Sequence, residues 1–378
     1  MINIAVLGWL ATIFSLFLYS FSQIDLGLTL MQLTFWQSLQ TSFQYLGYFH
    51  RSLSTQVYLV ILTGLFAFYF LILRAVQQRQ FSARKIWFLV LATAGILWLA
   101  YNAFSYDLFN YIFDAKIVTF YHQNPYLHKA LDFPADPMLG FMHWTHRLYP
   151  YGPLWLAITV PLSFLGFQKF LLTAILFKGL AVAGYLAASW FIFRILQKTV
   201  PKLALAGLAI FAFNPLVVIE SLVSAHNDII MMAGALASFY LLLRSRQKPA
   251  ILFWLASVGI KFATLALLPA FWVKKFFSQV ALFLMMMALV AVTKRTSFQP
   301  WYFLYILPFV ALLPGARWLF WLTTSLSAGF LLHYAPFLYL GNWDSPVPEI
   351  KIKLNLIFLV LGLILAGLSR LKKINFPA

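Results

Sequence analysis

Apolar runs of roughly 18 residues or more recur along this chain, separated by short basic loops. That pattern decides what it can fold into. A helix needs about 20 apolar residues to cross the hydrocarbon of a bilayer, and only helices and closed barrels satisfy their backbone there. With 63% hydrophobic and 10% charged residues, no stretch has the charge of a soluble domain. The expected fold class is all-α, a polytopic transmembrane helix bundle of about 10–12 membrane helices. The first apolar run, 2–21, lacks a basic leader and a small-residue cleavage site, and is read as a retained helix.

The basic residues orient the bundle. They cluster as Arg74, Arg79, Arg84 and Lys85; Arg194, Lys198 and Lys202; Arg244, Arg246 and Lys248; Lys274 and Lys275; Arg317; and Arg370, Lys372 and Lys373. Cytoplasmic placement of all these clusters gives spans near 2–22, 55–73, 86–105, 168–193, 203–224, 227–243, 276–293, 299–316, 318–336 and 352–369. The remaining loops then face outward and collect Asp25, Asp107, Asp114, Asp132, Asp136, Asp228, Asp344 and Glu349. Glu220 lies inside a span, and Glu220 and Lys261 are the only charges expected at depth. The net charge of +18 follows from the same rule and does not call for nucleic acid. With no cysteine, disulfides, thiolate metal sites and a cysteine nucleophile are excluded.

Two segments fit poorly as simple spans. Residues 151–166 begin Tyr-Gly-Pro and are broken by Pro161, which suits a half-embedded helix on the outer face. Residues 249–273 carry cytoplasmic-type charge at both ends and Lys261 in the middle. A re-entrant hairpin is expected there, with a single tilted span as the alternative. Residues 23–54 suit an interfacial segment. Residues 1–378 then form one membrane domain with a large outer loop, 106–150, in a cell (inner or plasma) membrane.

The interval 105–155 is the longest hydrophilic stretch. It holds four of the nine acids and four of the seven histidines. Helical spacing over 106–121 puts Asp107, Asn110, Tyr111, Asp114 and Val118 on one face, and Leu108, Phe109, Ile112, Phe113 and Lys116 on the other. The pattern predicts an amphipathic helix lying on the membrane, its acids either solvated or working. Asp107, at the end of span 86–105, would be partly desolvated. That raises a carboxylate's basicity and suits a general base, with Tyr106 or Tyr111 to orient it.

Asn124-Pro125-Tyr126 and 149–153 read as turns whose aromatics, Tyr126 and Tyr151, serve as interfacial anchors or stack on a sugar. In 213–230, Asn214-Pro215 breaks a membrane helix and Glu220 is an intramembrane acid, a functional hypothesis by default. His226, Asn227 and Asp228 emerge on the same side as Asp107. They could hydrogen-bond hydroxyls or supply half a divalent-metal site, but no second ligand cluster accompanies them. Lys116, Lys129, Arg147, Lys294 and Arg295 violate the positive-inside pattern. Lys116 suits snorkelling on the apolar face. Lys294 and Arg295, before Trp301 and Tyr302, suit either a lipid phosphate or ordinary headgroup attraction.

Together these motifs resemble the GT-C class of membrane glycosyltransferases, and within it the bacterial polyprenol-phosphate-mannose-dependent α-mannosyltransferases. The resemblance is carried by Tyr106-Asp107 with Tyr111, Asn124-Pro125-Tyr126, Tyr151-Gly152-Pro153-Leu154, Asn214-Pro215-Leu216 with Glu220, His226-Asn227-Asp228, Lys261 before Pro269, and Pro300-Trp301-Tyr302 before Pro308. It implies a polyprenyl-phosphate sugar donor, a lipid or glycan acceptor, membrane lipids as surroundings, and interfacial helices in the first large outer loop. The active site would face the periplasm or exterior, with Asp107 as base for an inverting hexosyl transfer. Asp114, Tyr111, Asn124, Tyr126, Arg147, Tyr151, Glu220, His226, Asp228, Lys261, Lys294, Arg295, Trp301 and Tyr302 would line the substrates. No cofactor is required by this reading. The absence of a soluble domain after the last apolar run leads to the expectation of a small acceptor. A transporter or flippase for lipid-linked glycans is the alternative, although it would be expected to show inverted repeats.

Overall fold

The computed structural model describes residues 2–273 and 275–371. Lys274, Lys372 and Lys373 of the basic clusters lie outside the described residues. Among those described, the chain forms sixteen α-helices with short 3₁₀ and π segments between them, and no strand. Five helices are long and apolar enough to cross a membrane: Ile2–Gln23, Arg51–Gln77, Phe170–Thr199, Phe277–Thr296 and Val347–Arg370. The pair Pro201–Ala212 and Pro215–Val223, turned by 57° at a short break, makes a sixth when taken as one bent span. The molecule is a polytopic helical bundle.

The other expected spans are shorter or broken. Asp228–Leu243 has 16 residues, and residues 299–316 become a 3₁₀ turn followed by Leu307–Ala311. The span expected at 86–105 ends early. Its helix, Ala83–Trp98, is followed by eight residues of irregular chain, so Asp107 opens the next helix rather than closing this one.

Prolines and their partners explain the breaks. Pro215 has no N–H to continue the ladder, and Asn214 caps the new helix by accepting from the Leu216 N–H at 2.9 Å. The carbonyls set free nearby find tyrosines on adjoining spans. Tyr185 donates to Ala212 at 2.7 Å and Tyr69 to Ile210 at 3.2 Å. In a membrane such partners are obligatory, because no water stands ready to replace them.

Residues 249–273 form a helical hairpin. The arm Gln247–Ile260 packs on the 3₁₀ arm Phe262–Trp272 through Trp254 Nε1 to Thr264 O at 2.9 Å and a Trp254–Phe271 ring contact at 5.6 Å. Lys261 is the tip. Gly152 seats this tip: its N–H donates to Ile260 O at 3.0 Å, and a Cβ there would stand 2.2 Å from Gly259 O.

The amphipathic helix is Asp107–Thr119, close to the expected bounds, but it does not lie on a surface. Asp107 and Tyr111 are buried along with Leu108, Phe109, Ile112 and Phe113. The loop 141–149 and the helix Pro153–Leu165 pack on it through Phe141, Trp144 and Trp155, and the span Phe170–Thr199 through Phe170, leaving Asn110, Asp114 and Val118 half-buried. Lys116 does not snorkel either. It pairs with Asp136 and sits over the rings of Phe113 and Phe120.

Candidate active site

Asp107 is the first residue of its helix, where the unpaired N–H groups favour a negative charge. Its Oδ2 lies 3.4 Å from His226 Nδ1, and the other ring nitrogen, Nε2, lies 3.4 Å from Glu220 Oε2. Tyr334 donates to Glu220 Oε1 at 2.8 Å. An acid–imidazole–acid–phenol row thus runs inward from the helix start. Trp301 stacks on the imidazole at 4.1 Å with 17° between the planes, which fixes the ring's orientation. Neither imidazole contact meets hydrogen-bond geometry; they are loose ion pairs that can tighten.

The local backbone explains how Glu220 and His226 meet. Residues Ile219–Val223 widen into a π turn, and the His226 N–H closes back on Glu220 O at 3.1 Å. Ala225 takes a φ of 55° to permit the reversal. Two residues on, Asp228 faces a different partner. Both its oxygens accept from Lys261 Nζ at 2.8 Å. Lys261 also lies over the rings of Tyr151 and Tyr302, at 5.8 and 5.6 Å. His226 and Asp228 therefore do not converge on one point as two ligands of a metal would, and among the described residues no group of three His, Asp or Glu side chains has that arrangement.

The electrostatics follow from the neighbours. Burial pushes the Asp107 carboxyl up, but His226, Lys261 and Arg147 outweigh it and hold the pKa below the usual carboxylate value. The basicity expected from desolvation is therefore not realised: Asp107 stays ionised. Burial likewise opposes charge on His226, yet Asp107 and Glu220 raise its pKa to about 9. Asp114 differs. Burial dominates, Arg147 only partly offsets it, and the carboxyl is raised to about 8. Asp107 and Asp114, on one helical face by sequence, are shifted in opposite directions.

The structure brings Tyr111, Tyr151, Lys261, Trp301 and Tyr302 around this row. Tyr111 donates to Asn227 Oδ1 at 3.4 Å and meets the Tyr151 and Trp155 rings edge-on at 5.1 and 5.2 Å. Arg147 is exposed over the Trp144 ring at 4.5 Å, with its charge felt at Asp107 and Asp114. Tyr126 touches the site at second hand, donating to Tyr151 O at 3.3 Å. Asn124 is exposed, and its side chain accepts from the Tyr126 N–H to shape a turn. Lys294 and Arg295 are exposed in the last turn of Phe277–Thr296. Their link to the site runs through Thr296, 3.1 Å from the Tyr302 hydroxyl.

Sequence reasoning missed Tyr334, Trp155 and Lys178. The two aromatics had no signal among the many in apolar runs. Lys178 did have one, a lysine in the middle of a span, and it is buried there. A cavity of about 590 Å³ lies elsewhere, lined by Arg79, Lys202 and Ile210. It is at the end of the bent span opposite Glu220.

The model of the alpha-(1->6)-mannopyranosyltransferase family, N-terminal domain, matches residues 9–276. The chain belongs to this family. The matched stretch contains Asp107, Glu220, His226, Asp228 and Lys261, and ends before Trp301 and Tyr334. The chain is 27% identical over 147 residues to alpha-(1->6)-mannopyranosyltransferase A of Corynebacterium glutamicum. That match covers 39% of this chain and 30% of the relative. No solved structure matches the chain.

Proposed function

We propose that this protein is an inverting membrane glycosyltransferase that moves a hexose, with mannose favoured, from a polyprenyl-phosphate donor to a hydroxyl of a lipid or glycan acceptor. The observation that carries the reading is Asp107. It is a buried carboxylate kept ionised by an imidazolium and two cations, at the mouth of an aromatic-walled site, in a chain of the mannopyranosyltransferase family. The corynebacterial relative, an alpha-(1->6)-mannopyranosyltransferase, supports the sugar.

The acceptor hydroxyl attacks the anomeric carbon from the face opposite the phosphate. Its O–H proton passes to Asp107 as the new C–O bond forms. The bond between the anomeric carbon and the phosphate oxygen breaks, and the electron pair leaves with polyprenyl phosphate. Lys261, pinned by Asp228 between Tyr151 and Tyr302, and Arg147 are placed to offset the phosphate charge. His226, stacked on Trp301, keeps the Asp107 carboxylate turned toward the acceptor. Asp114, protonated at neutral pH, donates to a sugar or phosphate oxygen. The distribution of basic loops supports a site on the periplasmic or outer face of the cell membrane.

Transfer of radiolabelled sugar by purified full-length protein tests this, with polyprenyl-phosphate-mannose and polyprenyl-phosphate-glucose as donors and membrane glycolipids as acceptors. Transfer from the mannose donor that Asp107→Asn abolishes is the expected result. Full activity in Asp107→Asn would remove Asp107 as the base. No transfer from either donor, with donor lipid moved between leaflets of a vesicle, would point to a transporter instead.

A further inference from the structure

Lys178 sits in the span Phe170–Thr199 and is 4% exposed. Among the described residues it has no carboxylate partner. A buried intramembrane lysine without a carboxylate partner is costly and persists only where something specific holds it. Here two backbone carbonyls do so. Lys178 Nζ donates to Leu222 O at 2.8 Å and to Val223 O at 3.0 Å.

These carbonyls end the bent span. Because the chain widens into a π turn and then reverses at Ala225, the Ile219 and Glu220 carbonyls find partners in the Ser224 and His226 N–H groups. The Leu222 and Val223 carbonyls end this segment, at the negative end of its dipole. The Lys178 amine closes both. The turn it closes carries Glu220 on one side and His226 on the other, and His226 meets Asp107.

We infer that Lys178 is a positioning residue for glycosyl transfer: it clamps the turn 219–226 so that His226 holds Asp107 in its working orientation. It touches no substrate. The inference rests on the proposed role of Asp107, and its two consequences are separable.

The first consequence is structural and needs no activity. In the full-length protein in detergent, Lys178→Gln and Lys178→Met should raise amide hydrogen exchange in peptides covering 219–228, leaving the peptide 317–331 near wild type. Lys178→Arg, whose guanidinium can reach both carbonyls, should restore protection. The second is kinetic. With polyprenyl-phosphate-mannose as donor, Lys178→Met should lower kcat roughly 10- to 100-fold at a KM within about twofold of wild type. Lys178→Gln should fall between, and Lys178→Arg should recover most of the rate. Lys178→Gln keeps a neutral donor and serves where Lys178→Met does not fold. Wild-type exchange over 219–228 in Lys178→Gln, or an unchanged kcat in either neutral variant, overturns the inference. If Asp107→Asn keeps full activity while the exchange pattern holds, the base assignment fails and the clamp stands.

Discussion

Asp107 and Asp114 are seven residues apart in one helix, and their carboxyls take opposite paths because different neighbours face them. His226 and the cations hold Asp107 as an anion, whereas desolvation keeps Asp114 neutral. Asp107→Asn retains the shape and loses the base, so kcat should fall by roughly 10²–10⁴-fold with the melting temperature little changed. Transfer assays and thermal unfolding of the same sample check this. Tyr334→Phe removes the one hydrogen bond that Glu220 Oε1 receives among the described residues. Leaving that buried oxygen unpaired should cost about 1–3 kcal/mol, read as a lower unfolding temperature. The pH dependence has a definite sign. The folded-state pKa of His226, about 9, lies above its ordinary 6.5. The stabilisation this gives is complete below pH about 6.5 and is lost as pH rises through about 9. Unfolding temperature should therefore decline across that window in the wild type, and His226→Gln should flatten the decline.

The site is assembled by elements that break. The bent span reverses at 219–226, the hairpin presents Lys261, and the helix of Asp107 begins beside both. The Asn214-Pro215 break is legible in the sequence, since proline cannot continue a helix. The π turn that follows is not, because nothing in Ile219–Val223 distinguishes it from an ordinary helical stretch. Its partners come from distant segments: Lys178 on the Leu222 and Val223 carbonyls and Tyr334 on Glu220. Gly152 shows the same dependence on contact between distant segments. A methyl group added there meets the backbone of Gly259, which has no side chain to move aside. Gly152→Ala should push the hairpin arm outward and draw Lys261 away from Asp228. We expect a loss of about 1–3 kcal/mol in stability together with a raised KM for the donor. Donor titration in the transfer assay separates the second effect from the first.

Across the whole molecule, the charge pattern makes a claim about sidedness that the absence of cysteine makes simple to check. Any single introduced cysteine is a unique probe. Gln123→Cys, in the loop beyond the Asp107 helix, should react with an impermeant maleimide on intact cells. Lys202→Cys, at the other end of the bent span, should react only after permeabilisation. The reverse pattern would turn the bundle over and put Asp107 on the cytoplasmic side. The class of fold was readable because bilayer thickness imposes a length and composition on every span, and these are local properties of sequence. The acid proposed as base stood out in part, through its place in the longest polar interval. The row of Asp107, His226, Glu220 and Tyr334 was not, since it joins residues up to 227 positions apart, Asp107 to Tyr334, through ring and carboxylate contacts that have no period. The protonation states of Asp107 and Asp114 were likewise hidden, and desolvation alone gave the wrong direction for Asp107. Sequence determined the helical membrane bundle, the long polar loop and the breaks at proline. Tertiary structure decided which charges face one another, because the sign and size of a pKa shift depend on distances between segments that only packing sets.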